Sequence, residues 1–108
     1  MVVLDNRQEL YDYIKEYKFV VVKVSATWCG PCKKIASYVD SIIKELPNAV
    51  KIVYVDFDKQ RDIANAMKVK AVPTFMFYLH GSPDVCYVGS SKKNVLSFFQ
   101  NVQSKVIH

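Results

Sequence analysis

The chain has 108 residues, fifteen basic against ten acidic, for a formal net charge of +5, and 51% of it is hydrophobic. That is one domain's worth, read as residues 1–108, with enough apolar residue for a core that needs no staples. Scattered lysines and a modest charge argue against a nucleic-acid binder, no stretch nears the roughly 20 apolar residues of a membrane span, and three cysteines do not make a secreted disulfide framework.

Val2 to Leu4 reads as a short edge strand. Asp5 and Asn6 cut the run off, with no basic stretch before it, so no signal peptide is read. The expectation is a soluble chain in a reducing compartment, the cytoplasm, where a disulfide is transient and catalytic. Asp5, with Gln8 three residues on, predicts a helix N-cap and capping box. Leu10, Ile14 and Tyr17 then share one helical face. Phe19 to Val24 is an apolar, β-branched run broken only by Lys23, the pattern of a strand buried on both faces.

Cys29-Gly30-Pro31-Cys32 follows directly, with Trp28 before it and Lys33 after. Two cysteines at this spacing can close a small disulfide ring and pass two electrons to another protein. The attacking species in such exchange is a thiolate. At a strand-to-helix junction the Cys29 sulfur faces the unpaired N–H groups and positive end of the helix, which lowers its pKa. Gly30 is expected to let the backbone turn tightly beside the sulfur, and Pro31 suits the first helical turn. Cys32, one turn in and expected to be less exposed, is placed to resolve a mixed disulfide. A zinc half-site is the competing use of the spacing. It needs about four ligands, and Cys86, His80 and His108 supply no recognisable pattern, so no metal is expected.

From Pro31 the stripe Cys32, Ile35, Val39, Ile42, Leu46 marks a helix stopped by Pro47-Asn48. Val50 to Val55 is a second apolar strand, and Arg61 to Lys68 a short helix. Phe75 to Leu79 and Val85 to Val88 flank His80-Gly81-Ser82-Pro83-Asp84, read as a hairpin turn. Val95, Phe98, Phe99, Val102 and Val106 form the inner face of a last helix capped by Ser91. Strands alternating with helices, closed by a hairpin, mean an α/β chain with one mixed sheet, helices on both faces.

The Trp-Cys-Gly-Pro-Cys-Lys segment, with Ser25-Ala26-Thr27 before it, resembles the active site of the thioredoxin family. The likeness extends to Val72-Pro73-Thr74, similar to the family's cis-proline loop, and to Gly81 and Gly89, in register over nearly the whole chain. The resemblance implies the thioredoxin fold, with about five strands flanked by four helices. It implies a thiol–disulfide oxidoreductase with Cys29 as nucleophile and Cys32 as resolving thiol. Trp28, Gly30, Pro31, Val72, Pro73, Val88 and Gly89 would form its docking surface. No bound cofactor is implied, since the cysteine pair carries the electrons. A thioredoxin reductase would return them from NADPH to a monomer whose substrates are of the peroxiredoxin, methionine sulfoxide reductase or ribonucleotide reductase type. A disulfide oxidant or isomerase, and a thioredoxin-like binding subunit, are the alternatives.

Lys23 departs from the family, which usually has a buried aspartate there, and Tyr54 stands where that aspartate's lysine partner is usual. Three states are open to a lysine among valines: ammonium reaching water, ammonium charged beneath Cys32, or neutral amine acting as base. The reading taken is the second, with Tyr54 accepting a hydrogen bond from the ammonium and the reduction potential raised. Asp56 and Asp58 are read as strand-end carboxylates within reach of Lys23. Cys86 is read as a buried small hydrophobe, with an exposed regulatory thiol as the alternative. Lys33, Lys34, Lys68, Lys70, Lys92 and Lys93 are expected near the redox face, where they would steer acidic partners.

Overall fold

The computed structural model of the protein describes residues 2–106, so His108 lies outside it. Its elements run α1 (Arg7–Glu16), β1 (Phe19–Ser25), α2 (Gly30–Lys44), β2 (Val50–Asp56), α3 (Arg61–Ala66), β3 (Thr74–Leu79), β4 (Ser82–Val88) and α4 (Lys92–Val106). The sheet has four strands in the order β2-β1-β3-β4, where about five were expected. The N-terminal segment contributes only an isolated parallel bridge, Val2 to Val53, because Leu4 leaves the sheet to join the core. The β1–β2 pair is parallel, and β3 is antiparallel to both β1 and β4.

Three boundaries differ from the sequence reading. Asn6, not Asp5, caps α1: its side chain accepts from the Glu9 N–H, while the Glu9 carboxylate accepts from the Asp5 N–H. The reciprocal cap thus sits one residue later than the Asp5/Gln8 spacing suggested, and Gln8 bonds Asp12 instead. The helix α3 ends at Ala66 because Lys68 adopts a left-handed φ of 60°. The hairpin turn is only His80-Gly81, both at positive φ, and Ser82, Pro83 and Asp84 belong to β4. Pro83 is tolerated there because β4 is an edge strand with a register shift opposite Phe77/Tyr78. Ser91 caps α4 as read, accepting from the Asn94 N–H at 3.2 Å.

Alternation along β1 divides the core. Val20, Val22 and Val24 face the layer that holds Leu10, Ile14 and Ile63 of α1 and α3. Val21 faces the layer of Ile35 and Val39 of α2 and Val95, Phe98 and Phe99 of α4. Phe75 centres this second layer, its ring 5.9 Å from Phe98, 6.1 Å from Phe99 and 6.3 Å from Tyr87. Lys23 follows Val21 on the same face, in register with Tyr54 and Phe75. It is 7% exposed and, with Thr74, makes up the buried polar residues described.

Burial lowers the Lys23 pKa, and the nearby Asp40 carboxylate offsets part of that shift. Below the lowered pKa both folded and unfolded chains hold the proton, and the native state bears the full cost of the buried charge. Between that pKa and the ordinary lysine value of about 10.4, the unfolded chain binds more protons, so stability rises with pH. Lys23→Met is therefore expected to stabilise the protein at neutral pH, on the order of 1 kcal/mol, and to flatten the rise toward alkaline pH. Urea unfolding across that pH range checks this, and parallel curves for the two proteins would refute it. Phe75→Ala is expected to cost about 3–5 kcal/mol, read by the same measurement.

Candidate active site

The site forms where β1 stops and α2 starts. Ser25 ends the strand opposite Asp56 of β2, and Ala26 to Trp28 carry the chain to Cys29, the N-cap of α2. The Cys29 N–H donates to the Ala26 carbonyl at 3.2 Å, which holds the turn. The Cys29 sulfur accepts the Cys32 N–H at 3.2 Å, as an N-cap side chain does. The two cysteines are joined as a disulfide with Cα atoms 5.3 Å apart. When the bond is reduced, that same N–H and the positive end of the 15-residue α2 favour a thiolate on Cys29.

The expected difference in exposure between the cysteines is not seen: Cys29 is 3% exposed and Cys32 5%. Ala26, Phe57 and Val72 pack against both, so burial does not distinguish them. What distinguishes them is position. Cys29 Sγ lies 3.8 Å from the Val72 carbonyl oxygen, at the edge of the cis Val72–Pro73 loop. Gly30 also differs from expectation. It has no positive φ, and a Cβ built on it would meet nothing within 4 Å. A side chain there would point into open space, so neither a tight turn nor a close contact requires glycine at this position.

The other groove residues converge from separate elements. The Gly89 N–H donates to the Pro73 carbonyl at 3.0 Å, tying the end of β4 to the loop before β3. Gly89 has φ 140°, and a Cβ there would lie 2.6 Å from the Tyr87 hydroxyl. That hydroxyl accepts the Ser91 N–H at 3.0 Å, so any side chain at 89 would break the link to α4. Val88 is 52% exposed and Trp28 64%. Trp28 is held by a contact that sequence reasoning missed: its Nε1 donates to Asp58 Oδ2 at 2.6 Å. Arg61 pairs with the other oxygen of the same carboxylate at 3.2 Å. Thirty residues separate Trp28 from Asp58. The one available signal was an acidic residue just past the strand that pairs with β1.

Lys23 and Cys32 line one cavity of about 200 Å³, with Ala36 and Asp56. Cys32, Ala36 and Asp40 recur every fourth residue and so form one row on α2. Lys23 also lines a second cavity with Asp40, Lys44 and Tyr54. Its Nζ lies 5.7 Å from the centre of the Tyr54 ring. The contact is thus cation to ring face, where a hydrogen bond to the hydroxyl was expected. Burial raises the Tyr54 pKa, as does Asp40. Asp58 serves Trp28, whereas Asp56 shares a cavity with Lys23, so only one of the two strand-end carboxylates lies by the lysine.

Cys86 is exposed on the edge strand, contrary to the buried reading. A two-residue turn joins Leu79 to Ser82, and the register shift at Phe77/Tyr78 then sets Cys86 opposite Met76, while Val85 and Tyr87 pack on the α4 layer. Its thiol pKa is raised by partial desolvation, and it lies in a strand rather than at a helix N-terminus.

Comparison with known proteins agrees with this geometry. The thioredoxin family model matches residues 1–102. The chain is 40% identical over 91 residues to thioredoxin of Callithrix jacchus, covering 84% of this chain and 85% of that protein. It is 41% identical over 78 residues to thioredoxin-2 of Pyricularia oryzae, 72% of this chain but only 45% of that longer protein. Among solved structures, oxidised mitochondrial thioredoxin 3 of Saccharomyces cerevisiae superposes with a TM-score of 0.85 at 30% identity, over 94% of each chain. With Cys29 and Cys32 joined at a helix N-terminus and the family pattern matched along nearly its whole length, this chain belongs to the thioredoxin family and is a protein-disulfide oxidoreductase.

Proposed function

We propose that the chain works as a protein-disulfide reductase. The observation that carries this is the Cys29 sulfur capping α2 beside the carbonyl of half-buried Val72 in the cis Val72–Pro73 loop. A substrate segment lies on the surface of Trp28, Gly30, Pro31, Val72, Pro73, Val88 and Gly89. The Cys29 thiolate attacks one substrate sulfur, forming a mixed disulfide and releasing the other sulfur as thiolate. The Cys32 thiolate then attacks Cys29 Sγ, closing the Cys29–Cys32 disulfide and releasing the second substrate thiolate. Two electrons have passed to the substrate. A thioredoxin reductase returns two from NADPH. By family likeness the substrates are of the peroxiredoxin, methionine sulfoxide reductase or ribonucleotide reductase type, met by a monomer in the cytoplasm.

Lys23 tunes this couple in our reading. Its place in the cavity that Cys32 lines supports a positive charge acting on the sulfurs. Such a charge favours the thiolates over the disulfide and raises the potential.

Disulfide reduction with NADPH and a thioredoxin reductase tests the main reading. Cys29→Ser is expected to abolish turnover, and Cys32→Ser to accumulate the mixed disulfide, seen as a trapped adduct by mass. Turnover by Cys29→Ser equal to wild type would end the reading. Equilibration in a thiol–disulfide buffer tests Lys23, against a general reference of about −270 mV for thioredoxin. Lys23→Met is expected to move the potential downward by on the order of 30 mV, a tenfold change in equilibrium constant. An unchanged potential removes Lys23 from the chemistry.

A further inference from the structure

The apolar groove does not stop at Val88. Between the α3–β3 connection and the edge strand β4 lies a second concavity of about 240 Å³. Met67, Val69, Met76 and Val88 form its apolar wall, and Lys68 and Lys70 its rim. It is continuous with the docking surface through Val88 and through Ala71, the neighbour of Val72. Its volume is ample for one large side chain, since about 150 Å³ holds a benzene ring. Two methionines in the wall give it an adaptable shape.

The charges around it are one-sided. Lys68 and Lys70 are exposed, and Lys92 and Lys93 open α4 three residues past Gly89. Three ion pairs are formed among the described residues, and none uses any of these four lysines. Of the carboxylates beside the redox site, Asp56 shares the cavity of Lys23 and Cys32, and Asp58 is engaged by Trp28 and Arg61. A substrate segment crossing the site therefore meets an engaged carboxylate at the Trp28 end and uncompensated positive charge at the Val88 end.

We propose that this concavity is a specificity subsite that takes an apolar side chain of the substrate protein, from a segment whose Asp or Glu residues meet Lys68 and Lys70. The proposal rests on the reductase reading and names its substrate class: disulfides flanked on one side by an acidic, apolar-bearing segment. Charge pairs of this exposed kind act on encounter and selectivity, and salt screens them.

The test uses four disulfide-bonded peptides that share a scaffold. Three carry a leucine beside the disulfide and differ only in flanking Glu-Glu, Gln-Gln or Lys-Lys. The fourth is the Glu-Glu peptide with the leucine changed to serine. The readout is kcat/KM, taken as ratios within each protein, at about 20 mM and about 500 mM salt. Wild type is expected to favour the acidic peptide over the basic one by roughly tenfold at low salt, shrinking to within about twofold at high salt. Loss of the leucine is expected to cost about fivefold. Lys68→Glu with Lys70→Glu is expected to invert the order of the charged peptides. Equal rates on acidic and basic peptides, or an order unchanged in the double variant, would overturn the subsite while leaving the reductase reading intact. If neither the peptides nor hydroxyethyl disulfide were reduced by wild type, the reductase reading itself would fall, and the subsite with it.

Discussion

The redox end of this protein depends on one junction, the passage from β1 into α2. The strand is held on both edges, by β2 and β3, and covered on both faces, so its end cannot drift. Cys29 is placed at the N-cap by that rigidity, and the N-cap geometry turns its sulfur onto the Cys32 N–H. A helix start leaves backbone donors unpaired, and here a sulfur takes up one of them. The same contact that ends the strand and begins the helix thereby sets the electrostatics of the nucleophile. Structure and chemistry share a single hydrogen bond.

Around that junction the substrate surface is assembled from distant pieces. The Val72–Pro73 loop, the end of β4 and Trp28 have no local reason to meet. They meet because β3 lies beside β1 and β4 beside β3, and because Gly89 bonds the Pro73 carbonyl. Gly89 is required twice over, by its positive φ and by the Tyr87 hydroxyl, which anchors the start of α4. Asp58 holds Trp28 only because β2 pairs in parallel with β1 and so ends at the same edge of the sheet.

Lys23 runs against the general economy of this core. Neutral residues fill every other position of β1 between its ends, and a buried ammonium is costly. Two features reduce the cost: the face of the Tyr54 ring and the Asp40 carboxylate. Asp40 lies on the α2 row that begins at Cys32, and Tyr54 on β2 in register with Lys23. Lys23 thus lines one cavity with Asp40 and Tyr54 and another with the resolving cysteine.

Much of this was legible in the residues alone. The period of apolar positions located every helix and strand of the sheet, since burial on one or two faces writes itself directly into spacing. The redox pair was legible because its chemistry needs two sulfurs close in sequence. Local phase was less so: Asn6 displaced Asp5 as cap, and Pro83 entered an edge strand where a turn was expected, because both segments offer several polar residues of similar capacity. The phase of β4 then decided the exposure of Cys86, which no pattern in Val85-Cys86-Tyr87-Val88 specifies. The Asp58 contact to Trp28, the ring-face contact of Tyr54 to Lys23 and the equal burial of Cys29 and Cys32 are all cross-strand or cross-layer facts. A linear sequence determines which groups are available and with what period they face the core. Which distant groups end up in contact depends on strand order and register, and only the tertiary structure decides those.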